Sequence, residues 1–410
     1  MIDVAPRDPL CRFYTLPHIG DLLVNLMRRQ PPRRLVDLGA GAGTLSYAAS
    51  RRWVGTDIVT VDVDSGCVLG LQERLQSDHR RHVHHTHDAL DPDLPRIISV
   101  GGAIDAAICN PPYIRPDWRP GFERVLEEAG LTDAFASPSD VTAEALFLAQ
   151  AVRLTSRGGS IGLIVPDGLI TGFKMADLRR SLLAQHRIDS VVQLPRRSFK
   201  DADVQAFILI FSNYARRVNK IKLMRFDHSI GLSEPIYIDQ AKAEHRLDYE
   251  FHSVGGSSTY ECETLEGIGA TINRGTINAT MARLAGMHIF HTCDFDQSTG
   301  GEIYVSDKPI PTLPGNAPII VAEPGDILIA RVGRNLHTKV AMVAEGRVAI
   351  SDCVYRIRVP RTLIEATFAA LRSEDGARRL AAATRGVGAR HLCKAELTSL
   401  ALIPTSGIPR

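Results

Sequence analysis

The sequence contains no apolar run that approaches the ~18 residues needed to span a bilayer, so no membrane-spanning helix is predicted. Its first residues include acids and an early proline instead of a basic stretch followed by an apolar one, so no secretory signal is predicted either. The seven cysteines are odd in number, scattered and without a Cys-x-x-Cys pair, which argues against a disulfide framework. A reducing, cytoplasmic location is therefore expected.

The chain also lacks a clear internal repeat and any low-complexity tract, and its composition is that of a globular protein. Its 410 residues are 44% hydrophobic and 23% charged, which suits two domains of unequal size. The net charge is only +2, but residues 331–410 carry fourteen basic and six acidic residues, leaving an acidic excess in the remainder. This imbalance indicates a C-terminal region that meets a polyanion, the alternative being an ordinary arginine-rich surface.

The first ~215 residues alternate strand-like and helical patterns, which predicts a mostly parallel, doubly wound α/β sheet. The predicted strands are Arg34–Leu38, Asp57–Val63, Ile104–Cys109, Ser160–Val165, Ser190–Leu194 and Val204–Phe211. The predicted helices are Pro17–Arg29, Thr44–Ser50, Ala143–Leu154 and Met175–Gln185.

After Tyr214 the pattern changes to a polar, basic segment, then to glycine, proline and short strand-like runs. These runs include Ile327–Val332 and Lys339–Ala344, and a helical pattern returns near Thr362–Ala383. We place the domain boundary within residues 215–240. The prediction is a domain of residues 1–225, followed by a smaller mixed α+β domain of residues 226–410.

The first predicted strand runs into a glycine-rich turn, Gly39-Ala40-Gly41-Ala42-Gly43, headed by Asp37 and Leu38. Glycine lets the chain turn tightly while a ligand approaches the backbone. A dinucleotide-binding loop has the spacing G-x-G-x-x-G and seats a pyrophosphate, whereas this loop has G-x-G-x-G and an acid. An acid suits the α-ammonium group of S-adenosylmethionine, which carries no phosphate, and Asp37 is placed to face it. The alternative is a tight strand-to-helix turn without a ligand.

Three further acids follow the next strand-like runs. Asp62 and Asp64 lie about 20 residues beyond the glycine loop, where an acid can hold ribose hydroxyls. Alternation puts both on one face; we favour Asp62, and a solvated strand end is the alternative. Asp88 follows the next strand-like run after Asp64. It can accept a hydrogen bond from the adenine amine of the cofactor.

The most specific motif is Asn110-Pro111-Pro112-Tyr113, directly after the strand Ile104–Cys109. Two prolines fix the backbone and remove two N–H donors, so that carbonyls and the Asn110 side chain are exposed as acceptors. An exocyclic adenine amine is a poor nucleophile, and acceptors on Asn110 and the Pro111 carbonyl can hold both of its N–H bonds. Tyr113 can stack on a base flipped out of the duplex. A proline-rich loop with a buried tyrosine is the alternative.

The order of these motifs resembles the γ-class, or TaqI-like, DNA adenine-N6 methyltransferases over roughly the first 210 residues. The segment Phe13–His18 is similar to the family's N-terminal cofactor motif, with Leu16 where proline is usual. The resemblance implies the use of S-adenosyl-L-methionine, and the expected cofactor-binding residues are Thr15, Asp37, Leu38, Gly39, Ala40, Gly41, Asp62, Asp88 and Pro112. The expected catalytic set is Asn110, Pro111, Pro112, Tyr113 and Phe199, the last placed against the flipped base.

The second part resembles the target recognition domain of type I specificity subunits and of this methyltransferase class. The similar stretches are Arg246–Tyr249, Thr264–Gly275, Pro324–Gly333, Ala349–Val354 and Gly388–Pro404. The resemblance implies double-stranded DNA as partner. Arg331 and Arg334 are candidate DNA-binding residues, although they could instead pair with Asp326 or other acids.

Five histidines lie within residues 79–87, and alternation puts His82 and His84 on one strand face and His85 and His87 on the other. A metal site is conceivable there, but ordinary strand and loop residues are favoured, and no metal is expected. No nuclease signature is found, and only about 13 residues precede the first cofactor motif. We therefore expect a cognate restriction endonuclease, where one exists, to be a separate protein.

The sequence analysis thus predicts a site-specific DNA adenine-N6 methyltransferase of a restriction-modification system. Three alternatives stay open. They are a protein glutamine-amide methyltransferase, an RNA adenine-N6 methyltransferase, and a DNA-binding specificity module without catalysis.

Overall fold

A computed structural model describes residues 15–75, 82–196, 198–199, 204–255, 262–296, 300–305, 318–386 and 389–404. The first two residues of the segment Phe13–His18, and Gly388 at the start of Gly388–Pro404, lie outside these ranges. Backbone contacts divide the chain into two compact units, Met1–Tyr249 and Glu250–Arg410. Among the described residues, no helix combines the length and the apolar character needed to cross a bilayer.

The first unit alternates helices with strands along the chain. Its strands are β1 Arg34–Leu38, β2 Asp57–Asp62, β3 His82–Thr86, β4 Ile104–Cys109, β5 Thr155–Pro166, β6 Arg187–Gln193, β7 Ala206–Ser212, β8 Lys220–Asp227, β9 Gly231–Leu232 and β10 Ile236–Asp239. Its helices are α1 Pro17–Leu26, α2 Thr44–Arg52, α3 Val68–Leu75, α4 Leu94–Ser99, α5 Phe122–Glu128, α6 Ala143–Leu154, α7 Asp167–Thr171, α8 Ala176–Gln185 and α9 Gln240–His245. The next helix, α10 Tyr249–Gly255, begins at the last residue of this unit and continues in the second unit.

These strands form a ten-stranded sheet with the order β10-β8-β6-β7-β5-β4-β1-β2-β3, and β9 pairs with β8 outside this path. Strands β3, β2, β1, β4 and β5 run parallel to their neighbours. The order 3-2-1-4-5 is that of a doubly wound nucleotide-binding sheet. Strand β7 runs antiparallel between β5 and β6. The predicted doubly wound α/β class is confirmed.

Side-chain alternation along the strands supplies a hydrophobic core to each face of the sheet. On β1, Val36 and Leu38 belong to one core, which also receives α5, α6 and α8, and Leu35 belongs to the other, which receives α1, α2 and α3. Because both faces are covered, the parallel strands are buried almost throughout and read in the sequence as continuous apolar runs. Asp37 is a charged exception on β1, at 1% exposure.

The first unit extends beyond the predicted boundary between residues 225 and 226. Part of the supposed linker forms β8, which pairs in parallel with β6, and β10 then pairs with β8. The segment Arg246–Tyr249, which we assigned to the second domain, also lies in the first unit. Its Arg246 is buried and donates two hydrogen bonds to the Asp248 carboxylate, at 2.8 and 2.9 Å. The basic residues of β8 concealed this strand, although its Ile221, Leu223 and Met224 are buried. The edge strand β10 has only four residues, too few to give a clear pattern.

The second unit is a smaller mixed α+β assembly of short strands. Its strands are β11 Cys262–Thr264, β12 Thr271–Arg274, β13 Ile289–Phe290, β14 Glu302–Tyr304, β15 Val321–Ala322, β16 Ile327–Ala330, β17 Val332–Gly333, β18 Val340–Glu345, β19 Val348–Ile350, β20 Val354–Arg358, β21 Arg390–His391 and β22 Ala401–Pro404. Its helices are α11 Ala279–Leu284, α12 Ile364–Arg372, α13 Glu374–Ala383 and α14 Lys394–Thr398.

A five-stranded sheet with the order β12-β20-β16-β18-β14 forms the centre of this unit, with smaller sheets made by β13-β19-β15, β11-β22 and β17-β21. Ile327, Ile329 and Ile357 from the central sheet pack with Leu371 of α12 and Leu380 of α13. The mixed α+β architecture predicted for the second domain is therefore confirmed, with two helices in place of one continuous helical pattern.

Candidate active site

A cavity of about 260 Å³ lies at the carboxyl ends of the central parallel strands of the first unit. Parallel strands deliver the residues that follow them to one edge of a sheet, which is where doubly wound folds bind ligands. Most of the residues predicted to bind the cofactor line it: Thr15, Asp37, Gly39, Ala40, Gly41, Asp62, Asp88 and Pro112, together with the catalytic candidate Asn110. The linear motifs therefore converge on one cavity.

Four predicted residues do not line this cavity. Leu38 is fully buried in the core below the glycine loop. Pro111 is buried, and Phe199 is 3% exposed. Tyr113 is half-buried. Pro111 and Tyr113 flank the cavity-lining Pro112 in the chain, and Phe199 lies beside Tyr113 in space.

Asp37 is the most strongly perturbed acid of the site. Its Oδ2 accepts hydrogen bonds from the Ser46 amide at 3.1 Å and the Ser46 hydroxyl at 2.5 Å. Its Oδ1 is buried and has no hydrogen-bond partner within the described part of the chain. Burial raises the pKa of Asp37 to about 7, the Ser46 hydrogen bonds oppose this rise, and nearby Asp62 adds to it. A buried acceptor of this kind is suited to a cationic ligand.

The glycine loop depends on left-handed backbone conformations. Gly39, Gly41 and Gly43 have φ angles of 69°, 49° and 75°, which favour glycine. The Gly41 amide donates to Oδ2 of Asp62 at 2.7 Å, which ties the loop to the end of β2.

The structure separates the two acids that the sequence left as alternatives. Asp62 lines the cavity, and its Oδ1 accepts from the Asp64 amide at 2.9 Å. Asp64 instead accepts from the Gly66 amide at 2.9 Å and caps the turn that precedes α3. Each Asp62 oxygen has two lone pairs, so acceptor capacity for ribose hydroxyls is retained.

Asp88 is engaged by an arginine that sequence reasoning did not identify. Its Oδ2 lies 2.7 Å from the Arg119 guanidinium, and its Oδ1 accepts from the Leu90 amide at 2.9 Å. Arg119 also lies over the Phe122 ring, 4.9 Å from the centroid, and lines the cavity. Asp88, the acid predicted to bind the adenine amine, is thus already engaged in a partly exposed ion pair with Arg119.

The catalytic candidates form a cluster from three distant parts of the sequence. Asn110 donates through Nδ2 to the Thr15 hydroxyl at 3.0 Å, which leaves the carbonyl Oδ1 as the acceptor end of the side chain. Thr15 in turn forms a backbone bridge with Phe199. The Phe199 and Tyr113 rings meet edge to face at 6.5 Å, a usual geometry for aromatic pairs.

The hydroxyl of Tyr113 is buried. Burial, and then proximity to Glu144 at the start of α6, raises the pKa of Tyr113 well above its ordinary value. Burial also raises the pKa of Glu144. The Tyr113 hydroxyl therefore stays protonated at neutral pH.

Several residues of the cavity were missed by sequence reasoning. Phe147 lies within the apolar pattern of α6, and its ring comes within 3.3 Å of the position that a Cβ on Gly39 would take. Nothing in an apolar helical pattern distinguishes a core residue from a residue that lines a cavity. Arg119 belongs to the irregular segment after the Asn110–Tyr113 motif, and Ser46 is an ordinary helical serine.

The remaining candidates lie elsewhere. His82 and His84 both contact the Thr60 hydroxyl at 2.9 Å, on one face of β3 as predicted. The described residues hold no group of three or more potential ligands arranged for a metal ion. In the second unit, Arg331 donates to the Asp352 carbonyl at 2.8 Å, and Arg334 is exposed. Asp326 pairs with Arg358 instead, at 2.7 Å.

Two family models match parts of the first unit. Residues 76–234 match the family described as N-6 DNA methylase, and residues 18–119 match the methyltransferase small domain. A tRNA1(Val) (adenine(37)-N6)-methyltransferase of Vibrio vulnificus is 27% identical over 138 residues, which are 33% of this chain and 51% of that protein. The chain thus spans about half the length of the curated relatives it matches.

Among solved structures, the type IIG restriction endonuclease BpuSI resembles the chain with a TM-score of 0.51 and 14% identity, covering 97% of this chain and 59% of that one. The modification subunit of a type I restriction enzyme from Vibrio vulnificus has a TM-score of 0.43 and 19% identity, covering 53% and 48%. At these identities the likeness describes fold alone. The first unit has the Rossmann-like fold of S-adenosylmethionine-dependent methyltransferases. Within this unit, the N-6 DNA methylase match includes residues 82–234, from β3 to the segment before β10.

Proposed function

We propose that the chain is a site-specific DNA methyltransferase that transfers a methyl group from S-adenosylmethionine to the N6 amine of adenine. The observation that carries the proposal is the cluster at the end of β4. There the Asn110 carboxamide is fixed by Thr15 at the cavity wall, next to Pro111, Tyr113 and Phe199. The match to the N-6 DNA methylase family supports the same chemistry.

The residues present fit the proposed cofactor. The Asp37 carboxylate, with its buried Oδ1, suits the α-ammonium group, and Asp62 at the end of β2 suits the ribose hydroxyls. Asp88 suits the adenine amine once Arg119 gives way. The cavity, at about 260 Å³, is close to the lower end of the range for ligand pockets. When bound, the cofactor supplies an electrophilic methyl group on a sulfonium.

In the proposed mechanism, the chain positions the target amine and draws on no strong base. The Asn110 carbonyl and the Pro111 carbonyl accept one N–H bond each, which favours a tetrahedral nitrogen whose lone pair points into the cavity. Tyr113 and Phe199 provide aromatic surfaces for a base flipped out of the duplex. As the N–C bond forms, the bond between the methyl group and the sulfonium sulfur would break and S-adenosylhomocysteine would be the leaving group. The methylated nitrogen is then acidic, and its proton leaves to solvent. Catalysis then rests on orientation and local electrostatics.

The second unit is proposed to recognise DNA, and the enzyme to act as the modification component of a restriction-modification system with a separate endonuclease. The basic excess of residues 331–410 supports contact with phosphates. The described cysteines are free thiols, which suits the reducing cytoplasm that the sequence analysis expects.

The test is an incubation of the purified chain with S-adenosylmethionine and genomic DNA, followed by digestion and mass spectrometry of the nucleosides. We expect N6-methyladenine from the wild type and none from the Asn110→Ala variant. Cytosine methylation, or no methylated base on sequence-diverse DNA, would overturn the proposal. The positions of methylation, read by sequencing, then give the target site.

RNA adenine-N6 methylation is the second candidate, because the curated relatives are named as tRNA adenine-N6 methyltransferases. The reaction in the names of those relatives is the one that we propose for the first unit, methyl transfer to the N6 amine of adenine. The same assay with total tRNA separates the two, since N6-methyladenosine in tRNA without methylation of DNA would favour this candidate.

A further inference from the structure

The second unit carries a two-stranded ribbon, formed by β17 and β21, that is rich in basic side chains. Backbone pairing sets Val332 opposite His391 and Gly333 opposite Arg390. The pairing continues at one end, where the Leu392 amide donates to the Arg331 carbonyl at 2.8 Å. We call the segment 331–334 together with Arg390 and His391 the basic ribbon.

Arg331 and Arg390 share one face of the basic ribbon. Residues paired across two strands point to the same side, and side chains alternate along each strand. Arg390 therefore lies on the face of Gly333, and Arg331, two residues before Gly333, lies on it as well. Such diagonal neighbours are about 7–8 Å apart, within reach of long side chains. Arg390 also donates through Nη1 to the Thr384 hydroxyl at 3.3 Å.

Gly333 leaves open space between these two arginines. Its φ of 149° is one that side chains rarely adopt, and an added Cβ would meet no described atom within 4 Å. A position without a side chain, in open space, lets a ligand approach the ribbon backbone closely.

A third arginine, Arg274, shares a hydrogen-bond acceptor with Arg331. The Nε atoms of Arg274 and Arg331 both donate to the Asp352 carbonyl, at 2.9 and 2.8 Å. Arg274 also pairs with the Asp352 carboxylate at 3.3 Å. Bonding through Nε fixes the plane of the Arg331 guanidinium, and within the described residues no acceptor occupies its terminal nitrogens. The fork of donors is thus held ready for an external acceptor.

We propose that the basic ribbon is the surface with which the second unit binds duplex DNA, with Arg331 and Arg390 donating to phosphates or guanine edges on either side of Gly333. The proposal rests on the DNA methyltransferase function above, because it states where that substrate lies. Clustered guanidinium groups are stabilised by a polyanion, and arginine is the side chain that matches phosphate and guanine bidentately.

The shape of the surface favours DNA over duplex RNA. A two-stranded ribbon fits the major groove of B-form DNA, which is about 12 Å wide. The major groove of A-form RNA is deep and narrow, and side chains cannot read it. Duplex RNA is therefore the competitor that the experiment includes.

The test measures fluorescence anisotropy of a labelled duplex, titrated with the full-length chain at several salt concentrations. The variants are Arg331→Gln, Arg390→Gln and their combination. The matched control is Arg378→Gln, an exposed arginine of α13 in the same unit that pairs with Asp375 at 2.9 Å. Each ribbon variant should weaken binding about 10-fold. The slope of log K against log salt should shrink by about 0.9 for each arginine–phosphate interaction that a variant removes. The control should match the wild type.

A double variant with the affinity and salt slope of the wild type would overturn the proposal. Circular dichroism establishes that each variant is folded. As a measurement that needs no variant, the amides of residues 331–334 and 389–391 should exchange hydrogen more slowly once the duplex is added, and unchanged exchange would also overturn it. Equal affinity for duplex RNA of the same sequence would refute the choice of DNA.

The outcomes separate this proposal from the proposed function. If the wild type methylates DNA but the double variant binds as well as the wild type, the ribbon assignment fails alone. If the wild type methylates no DNA, no target site can be mapped, and the binding experiment uses a duplex of mixed sequence instead. Weakened binding in the ribbon variants would then retain the ribbon and reject the methyltransferase assignment.

Discussion

The two units hold their polar side chains in different ways. In the first, Asp37 and Asn110 lie at the ends of buried strands, and hydrogen bonds from Ser46 and to Thr15 fix their orientation. In the second, the basic ribbon is built on strands of two residues, and Arg334 and His391 are exposed. Fixed geometry suits reacting atoms, whereas basic side chains on short strands, two of them exposed, suit a partner that is bound and released. Substitutions in the first unit should change the rate of reaction, and those in the second should change DNA affinity.

The largest effect is expected for Asn110→Ala. Removing the carboxamide acceptor should lower the methylation rate about 10²–10³-fold, as for other fixed hydrogen-bonding groups that act on the reacting centre. Cofactor affinity, measured by calorimetry, should change little. Asn25→Ala, an exposed asparagine of α1 that accepts from Arg52, is the control. A rate within tenfold of the wild type would contradict the role of Asn110.

The next effect is expected for Asp37→Asn, which removes the buried charge proposed to face the α-ammonium group. Cofactor binding should weaken about 10–100-fold, since a charge-assisted hydrogen bond at a buried site is lost. Asp57→Asn is the control, because Asp57 lies at the amino end of β2, opposite the end that carries Asp62. Unchanged affinity in calorimetry would remove Asp37 from the cofactor site.

The same residue predicts a pH dependence. Burial raises the pKa of Asp37 to about 7 in the free protein, so the carboxyl is protonated below that pH and charged above it. A cationic ligand binds the charged form, so the affinity of the wild type should fall as the pH drops through 7 and level off above it. The Asp37→Asn variant should lack this transition, and an identical profile in both proteins would assign it to another group.

A smaller effect is expected for Phe199→Leu, which keeps an apolar side chain in the core. Loss of stacking on the flipped base should lower the kcat/KM for DNA about 10-fold. Phe226→Leu, a partly buried aromatic packed on the same core, is the control. Equal losses in the two variants would assign Phe199 to core packing alone.

The smallest effect is expected for Arg119→Ala. The Asp88–Arg119 ion pair is partly exposed, with side chains 39% and 50% accessible, so it contributes at most about 1 kcal/mol. Freeing Asp88 should strengthen cofactor binding up to about fivefold. Arg124→Ala, which breaks a similar pair with Asp93 outside the cavity, should leave it unchanged. Weaker binding in Arg119→Ala would show that Arg119 contacts the cofactor directly.

The sequence was most informative where strands are buried on both faces. We predicted two strands with their observed bounds, Arg34–Leu38 and Ile104–Cys109, because continuous apolar runs ended by glycine or proline leave little freedom. The helix Ala143–Leu154 was also predicted with its observed bounds. Strand β8 was missed because basic residues alternate with its buried apolar ones, and the edge strand β10 was missed because it has only four residues. The domain boundary was therefore placed too early.

The candidate site follows the same rule. Residues at strand ends could be ordered from motifs, and Asp37, Asp62, Asp88 and Asn110 line one cavity. Contacts between distant segments could not be deduced. The Thr15–Asn110 hydrogen bond and the Arg119–Asp88 pair depend on how loops fold back over the sheet, which no local pattern specifies.

The central claim, that chemistry belongs to the first unit and DNA binding to the second, is tested most directly by one paired measurement. Methylation rate at saturating DNA and DNA affinity are determined for Asn110→Ala and for the Arg331→Gln/Arg390→Gln double variant. We predict that Asn110→Ala loses the rate and keeps the affinity, whereas the double variant loses affinity and keeps the rate. Loss of both quantities in both variants, with folding intact, would contradict the division.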